Sequence, residues 1–194
     1  VEVRDPCTHG HHQRVTLYAR EILKAFDPEG RFLSRHSLAV GTRQMDIGLI
    51  GVSDEIRLKA GSLTPEELAT LQEHPKIGRR ILQSIVDDET ALEVVTWHHE
   101  RWDGKGYPDG LAEEAIPLAA RIAAVADSLD ALTCCRAHRK ALEWKDAVAQ
   151  IRKESGEKFD PAIVAAFEKA LTPLREIWEN LGDQGRPTPV GVPH

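Results

Sequence analysis

From Leu118 to Leu132 the large apolar side chains fall at Leu118, Ile122, Val125, Leu129 and Leu132, the spacing of one helix face, with alanines filling the flanks. Nowhere does the chain show the strict alternation of a half-buried strand, so this segment reads as the central helix of an all-α core. Val15, Tyr18, Ile22 and Phe26 repeat the same period in an earlier helix. Thr64-Pro65-Glu66-Glu67 carries an N-cap, a first-turn proline and the glutamate of a capping box. Leu92 and Val95 lead a further helix toward two histidines, and Asp160-Pro161 opens another with Ile163, Val164 and Phe167 inward. At 194 residues the chain suits one domain with a real core, expected over 1–181. The Gly- and Pro-rich run 182–194 is expected to be a disordered tail.

A net charge of −6 argues against a nucleic-acid binder, though not against a small anionic ligand, because bound metal ions reverse a local field. The most apolar run, 116–135, contains Arg121, Asp127 and Asp130, so no membrane insertion is expected in this segment. Cys7, Cys134 and Cys135 make no C-x-x-C spacing, which points to a reducing cytoplasmic setting. The start at Val1 suggests a piece of a longer chain.

Residues 98–110, HHERWDGKGYPDG, carry most of the functional information. His98 and His99 precede a loop in which Gly104, Gly106, Pro108 and Gly110 restrict or release the backbone around Trp102, Asp103, Lys105 and Tyr107. On its residues alone this is either a shaped site loop or an ordinary turn behind two surface histidines. His11, Asp46, His74 and Asp127 lie on or beside other helices, and imidazole with carboxylate suits Zn, Mn or Fe.

Together RDPCTHGHHQRV (4–15), MDIGLIG, LTPEE, HHE-x-WDG-x-GYP, IPLAARIAAVADSLDALT and FDPAIVAAF (159–167) cover nearly the whole chain. This set resembles the HD-GYP family, bacterial metal-dependent phosphodiesterases of cyclic di-GMP. The resemblance implies an all-α HD-domain bundle with a C-terminal helical extension, often joined to a receiver or sensor domain. It also implies one or two divalent ions, with Asp46 bridging, His74, His98 and His99 on one ion, and His11 and Asp127 on the other. Tyr107, Asp130, Arg136 and Arg139 match positions that face the nucleotide. The loop of Trp102, Asp103, Gly104, Gly106, Tyr107 and Pro108 is a candidate surface for a protein partner.

Three departures stand out against the family pattern. Met45 occupies the histidine position of the His-Asp pair, Leu49 the position of an assisting lysine, and Cys7 that of a carboxylate which builds a third metal site in some relatives. A thioether is a poor ligand among carboxylates. The expectation is therefore a signalling domain with reduced or absent hydrolysis, acting by binding nucleotide or partner. The alternative is an active phosphodiesterase that converts cyclic di-GMP to linear pGpG or GMP.

Overall fold

Gly10, at φ 70°, takes the left-handed turn that admits the chain into helix α1 (His11–Phe26). The computed structural model describes residues 10–59, 61–134 and 141–181. Cys7, Cys135, Arg136, Arg139 and the run 182–194 lie outside the described residues. Val15, Tyr18, Ala19, Ile22 and Leu23 line the buried face of α1. Asp27 ends the helix, and its carboxylate accepts from the backbone of Arg31 and Phe32 at 2.9 and 2.8 Å. That folded corner leads into α2 (Arg35–Gln44), capped by Ser34.

A 3-10 turn, Ile47–Gly51, follows Met45 and Asp46, then a short α3 (Asp54–Arg57). The capping box foreseen at Thr64 and Glu67 is present and starts α4 (Pro65–Gln72). Next come α5 (His74–Leu82) and α6 (Glu89–Trp97). The glycine-rich loop and a second 3-10 turn, Glu113–Ala115, connect to α7 (Leu118–Thr133). The chain closes with α8 (Trp144–Lys153), α9 (Pro161–Lys169) and α10 (Leu171–Leu181). No strand occurs among the described residues beyond an isolated bridge between Ser155 and Phe159, so the all-α expectation holds.

α1 packs on α2, α7, α9 and α10, and α7 also meets α6 and α8. α7 is buried on most sides, its alanines letting neighbours approach closely, while its end leucines, Leu118 and Leu132, are only half-buried. Phe159, Ile163, Phe167 and Leu174 from the last elements complete the main core. A smaller cluster of Leu82, Leu92 and Val95 joins α5 to α6.

Two glycines set the position of α5. A Cβ on Gly48 would lie 1.8 Å from the carbonyl oxygen of His74, and one on Gly78 would lie 2.8 Å from Val95 Cγ1. The 3-10 turn therefore meets α5 backbone to backbone. Asp46 is brought beside His74 by that contact.

Candidate metal centre

His74 is the first residue of α5, and its Nδ1 lies 2.8 Å from the carbonyl oxygen of Leu71. His98 caps α6, with Nδ1 at 3.0 and 3.1 Å from the carbonyls of Val94 and Val95. A carbonyl can only accept, so both rings carry their proton on Nδ1 and present a lone pair at Nε2. Both Nε2 atoms are buried without a hydrogen-bond partner. They point at the same oxygen, Asp46 Oδ1, at 3.6 and 3.8 Å. Those distances are too long for hydrogen bonds and suit ligands grouped around one cation.

His99 completes the group: one ligand atom from each of Asp46, His74, His98 and His99 lies within 4.8 Å of the others. Burial, reinforced by His98, holds the pKa of His74 below its ordinary value, and burial with both neighbours holds that of His99 well below. Neutral imidazole is the form that binds metal. The donor set fits a divalent ion.

The second oxygen of Asp46 faces the other way. Oδ2 is 3.7 Å from His11 Nε2, which in turn is 3.5 Å from Asp127 Oδ1. On its far side His11 Nδ1 donates to Asp130 Oδ2 at 2.7 Å. Burial works against charge on His11, but hydrogen bonds to Asp130 and Asp46 and the charge of Asp127 push its pKa up to about 10. Three carboxylates around one imidazole create a surplus of negative charge that a proton or a cation offsets. The two oxygens of Asp46 thus face two adjacent donor groups.

The glycine-rich loop is braced from both ends. Glu100, buried directly after the paired histidines, accepts from the backbone N–H groups of Asp109, Gly110 and Leu111 at 2.7, 3.0 and 3.1 Å. A Cβ on Gly106 would lie 2.4 Å from the backbone nitrogen of Arg101, so the loop folds back onto its own start. The Tyr107 ring stacks on His99 with centroids 4.7 Å apart and an interplanar angle of 25°. Asp103 binds Arg101 through two contacts of 2.9 and 2.7 Å. The backbone nitrogens of Trp102 and Asp103 donate to the carbonyls of Lys158 and Glu157 at 3.1 and 2.8 Å.

A family model described as "HD domain" matches residues 1–163. The chain belongs to the HD domain family. It is 36% identical over 185 residues to a cyclic di-GMP phosphodiesterase of Thermotoga maritima, covering 94% of this chain and 50% of that protein. A cyclic di-GMP phosphodiesterase of Vibrio cholerae is 38% identical over 180 residues, with 86% and 36% covered. A 3'3'-cGAMP-specific phosphodiesterase of the same organism is 33% identical over 184 residues, with 93% and 39% covered. The chain spans half or less of the length of these relatives.

Solved structures agree on the fold. A cyclic GMP-AMP specific phosphodiesterase of V. cholerae aligns with a TM-score of 0.63 at 21% identity, over 95% of this chain and 50% of that one. The PgpH HD domain of L. monocytogenes in complex with cyclic-di-AMP aligns with a TM-score of 0.57 at 12% identity, over 100% and 97%.

Within this HD domain the structure gathers His11, Asp46, His74, His98, His99 and Asp127, and seats Tyr107 against them. Asp130 requires a correction. Instead of facing a nucleotide it is 2% exposed, behind His11, where it also binds Arg14 Nε at 2.6 Å. Buried opposite charges select that pairing over an outward pose. Met45 is fully buried in the main core cluster, as expected of a thioether among apolar neighbours. Leu49 is half-buried in the 3-10 turn. Trp102 is half-buried as well, with the Arg121 guanidinium 5.9 Å from its ring centroid, so it is partly a packing residue.

Sequence reasoning missed Glu100, Gly48 and Gly78. Glu100 was legible as an acid touching the loop motif. The glycines stand in the same short segments as Asp46 and His74, but no spacing reveals a backbone contact between them.

Proposed function

We propose that this HD domain is a metal-dependent phosphodiesterase of cyclic dinucleotides, with cyclic di-GMP the first substrate to test. The observation that carries the reading is the pair of buried, partnerless Nε2 atoms of His74 and His98 aimed at one oxygen of Asp46. Asp46, His74, His98 and His99 would hold a divalent ion there, which would supply a water activated at neutral pH and offset the negative charge of a phosphodiester.

The chain's own residues do the rest. Asp46 faces both donor groups and so keeps them adjacent, while Leu71 and Val94 fix the tautomers of His74 and His98 through their carbonyls. Asp130 orients His11 in the same way. Burial raises the pKa of the Tyr107 hydroxyl, so it stays protonated and donates toward an anionic ligand beside His99. The relatives named for cyclic di-GMP and cGAMP hydrolysis support this substrate class. The proposed setting is the cytoplasm, on the cysteine usage of the sequence.

A second reading is favoured by two residues. Met45 is held in the core and Leu49 carries no charge, so a domain with weakened hydrolysis would act by binding nucleotide, or a protein partner through the loop at 102–108. Incubation of the Mn²⁺-loaded protein with cyclic di-GMP separates the two. Appearance of linear pGpG or GMP supports the phosphodiesterase, with the rate falling at least about 10²-fold in Asp46→Asn, since several kcal/mol of charge stabilisation is removed at 1.36 kcal/mol per decade. Binding of the nucleotide without any product supports the second reading.

A further inference from the structure

The donor group around His11 lacks the histidine that the family pattern places at position 45. Met45 cannot stand in, because its side chain is fully buried in the apolar core. A different imidazole is at hand. His12 follows His11 at the start of α1, and its ring centroid lies 4.9 Å from that of His11 with the planes tilted by 58°. One ligand atom from each of His11, His12 and Asp46 lies within 4.8 Å of the other two. The His12 side chain is half-buried, and its Nδ1 is buried.

We propose that His12 is a ligand of the second ion, replacing the histidine that Met45 lacks. The proposal rests on the metal-centre reading above. The second ion would then draw on His11 and His12 from the first turn of α1, on Asp46 through the oxygen turned away from His74, and on Asp127 from α7. Two imidazoles and two carboxylates make a donor set of the kind that holds Mn, Fe or Zn. Asp130 holds His11 from behind, so the ring next to His12 does not turn away. Loss of a ligand at position 45 and gain of one at position 12 leave the number of protein donors unchanged.

The experiment counts ions and does not rely on turnover. Wild-type protein, His12→Gln, His11→Gln and the control Gln13→Ala, an exposed neighbour on α1, are dialysed against buffered Mn²⁺ series. Bound metal per chain is measured by elemental analysis, with thermal unfolding of the metal-free proteins recorded in parallel. Wild type and Gln13→Ala are expected to take up two ions. His12→Gln should keep the tighter ion and bind the second at least about tenfold more weakly, the lower end of what loss of a supporting group costs a metal site. His11→Gln should show the same pattern.

Unchanged second-ion affinity in His12→Gln overturns the proposal, as does a wild-type chain that holds a single ion at saturating Mn²⁺. A lower melting temperature of the metal-free His12→Gln variant, together with undiminished uptake of both ions on dialysis against Mn²⁺, assigns His12 a packing role and also overturns it. The phosphodiesterase reading fails separately. Two ions that depend on His12, with no product from cyclic di-GMP, leave the ligand assignment standing and remove the activity.

Discussion

Glu100 and Asp130 are buried carboxylates that act through other residues, Glu100 through the loop that carries Tyr107 and Asp130 through His11. Glu100 gathers three backbone N–H groups and so holds the loop that carries Tyr107. Glu100→Ala leaves those donors without their acceptor, and a destabilisation on the order of 1–3 kcal/mol is expected in urea unfolding. The stacking of Tyr107 on His99 should loosen with it, seen as weaker nucleotide binding per folded molecule. Asp130 pairs with His11 and Arg14; burial opposes its charge, but those two partners hold its pKa below the ordinary value. A depressed carboxyl pKa adds stability that is present above about pH 3.9, the unfolded value, and lost as pH falls through the folded one. Asp130→Asn should therefore flatten the acid side of the stability–pH profile and lower stability at neutral pH, read from melting temperature against pH.

At the scale of elements, the meeting of α5 with the 3-10 turn after Asp46 decides whether the donors converge. Gly48→Ala would drive a methyl group into the His74 carbonyl, an overpacking that costs about 1–3 kcal/mol or more because backbone must move. The expected result is a folded but less stable protein whose tight-site metal affinity drops, measured by competition with a chelator. Helix starts such as Thr64 and Asp160 were legible because their capping chemistry is local. α2 was not foreseen: Gly41 sits inside it with its missing Cβ 2.6 Å from Val94 Cβ, so a residue that argues against a helix locally is required by packing on α6. Burial of Asp130 and the core position of Met45 were likewise out of reach, because each depends on what lies across the bundle and not on its neighbours in the chain.

At the scale of the molecule, the helical class and the capped starts could be read from periodicity and capping chemistry, and six candidate ligands scattered from His11 to Asp127 were named by the family resemblance. What spacing could not convey was orientation: Asp46 turning one oxygen to each donor group, and Glu100 serving the loop and not a metal. The central claim is that two donor groups sharing Asp46 make a metal-dependent cyclic dinucleotide phosphodiesterase. The most direct test is the rate of cyclic di-GMP hydrolysis by one preparation as Mn²⁺ is titrated into the chelated protein, with bound metal counted at each point. The account predicts no product from the metal-free protein, a rate that rises with bound metal, and loss of activity on renewed chelation. A fully loaded protein that binds cyclic di-GMP and releases no product, or a rate indifferent to chelation, would contradict it.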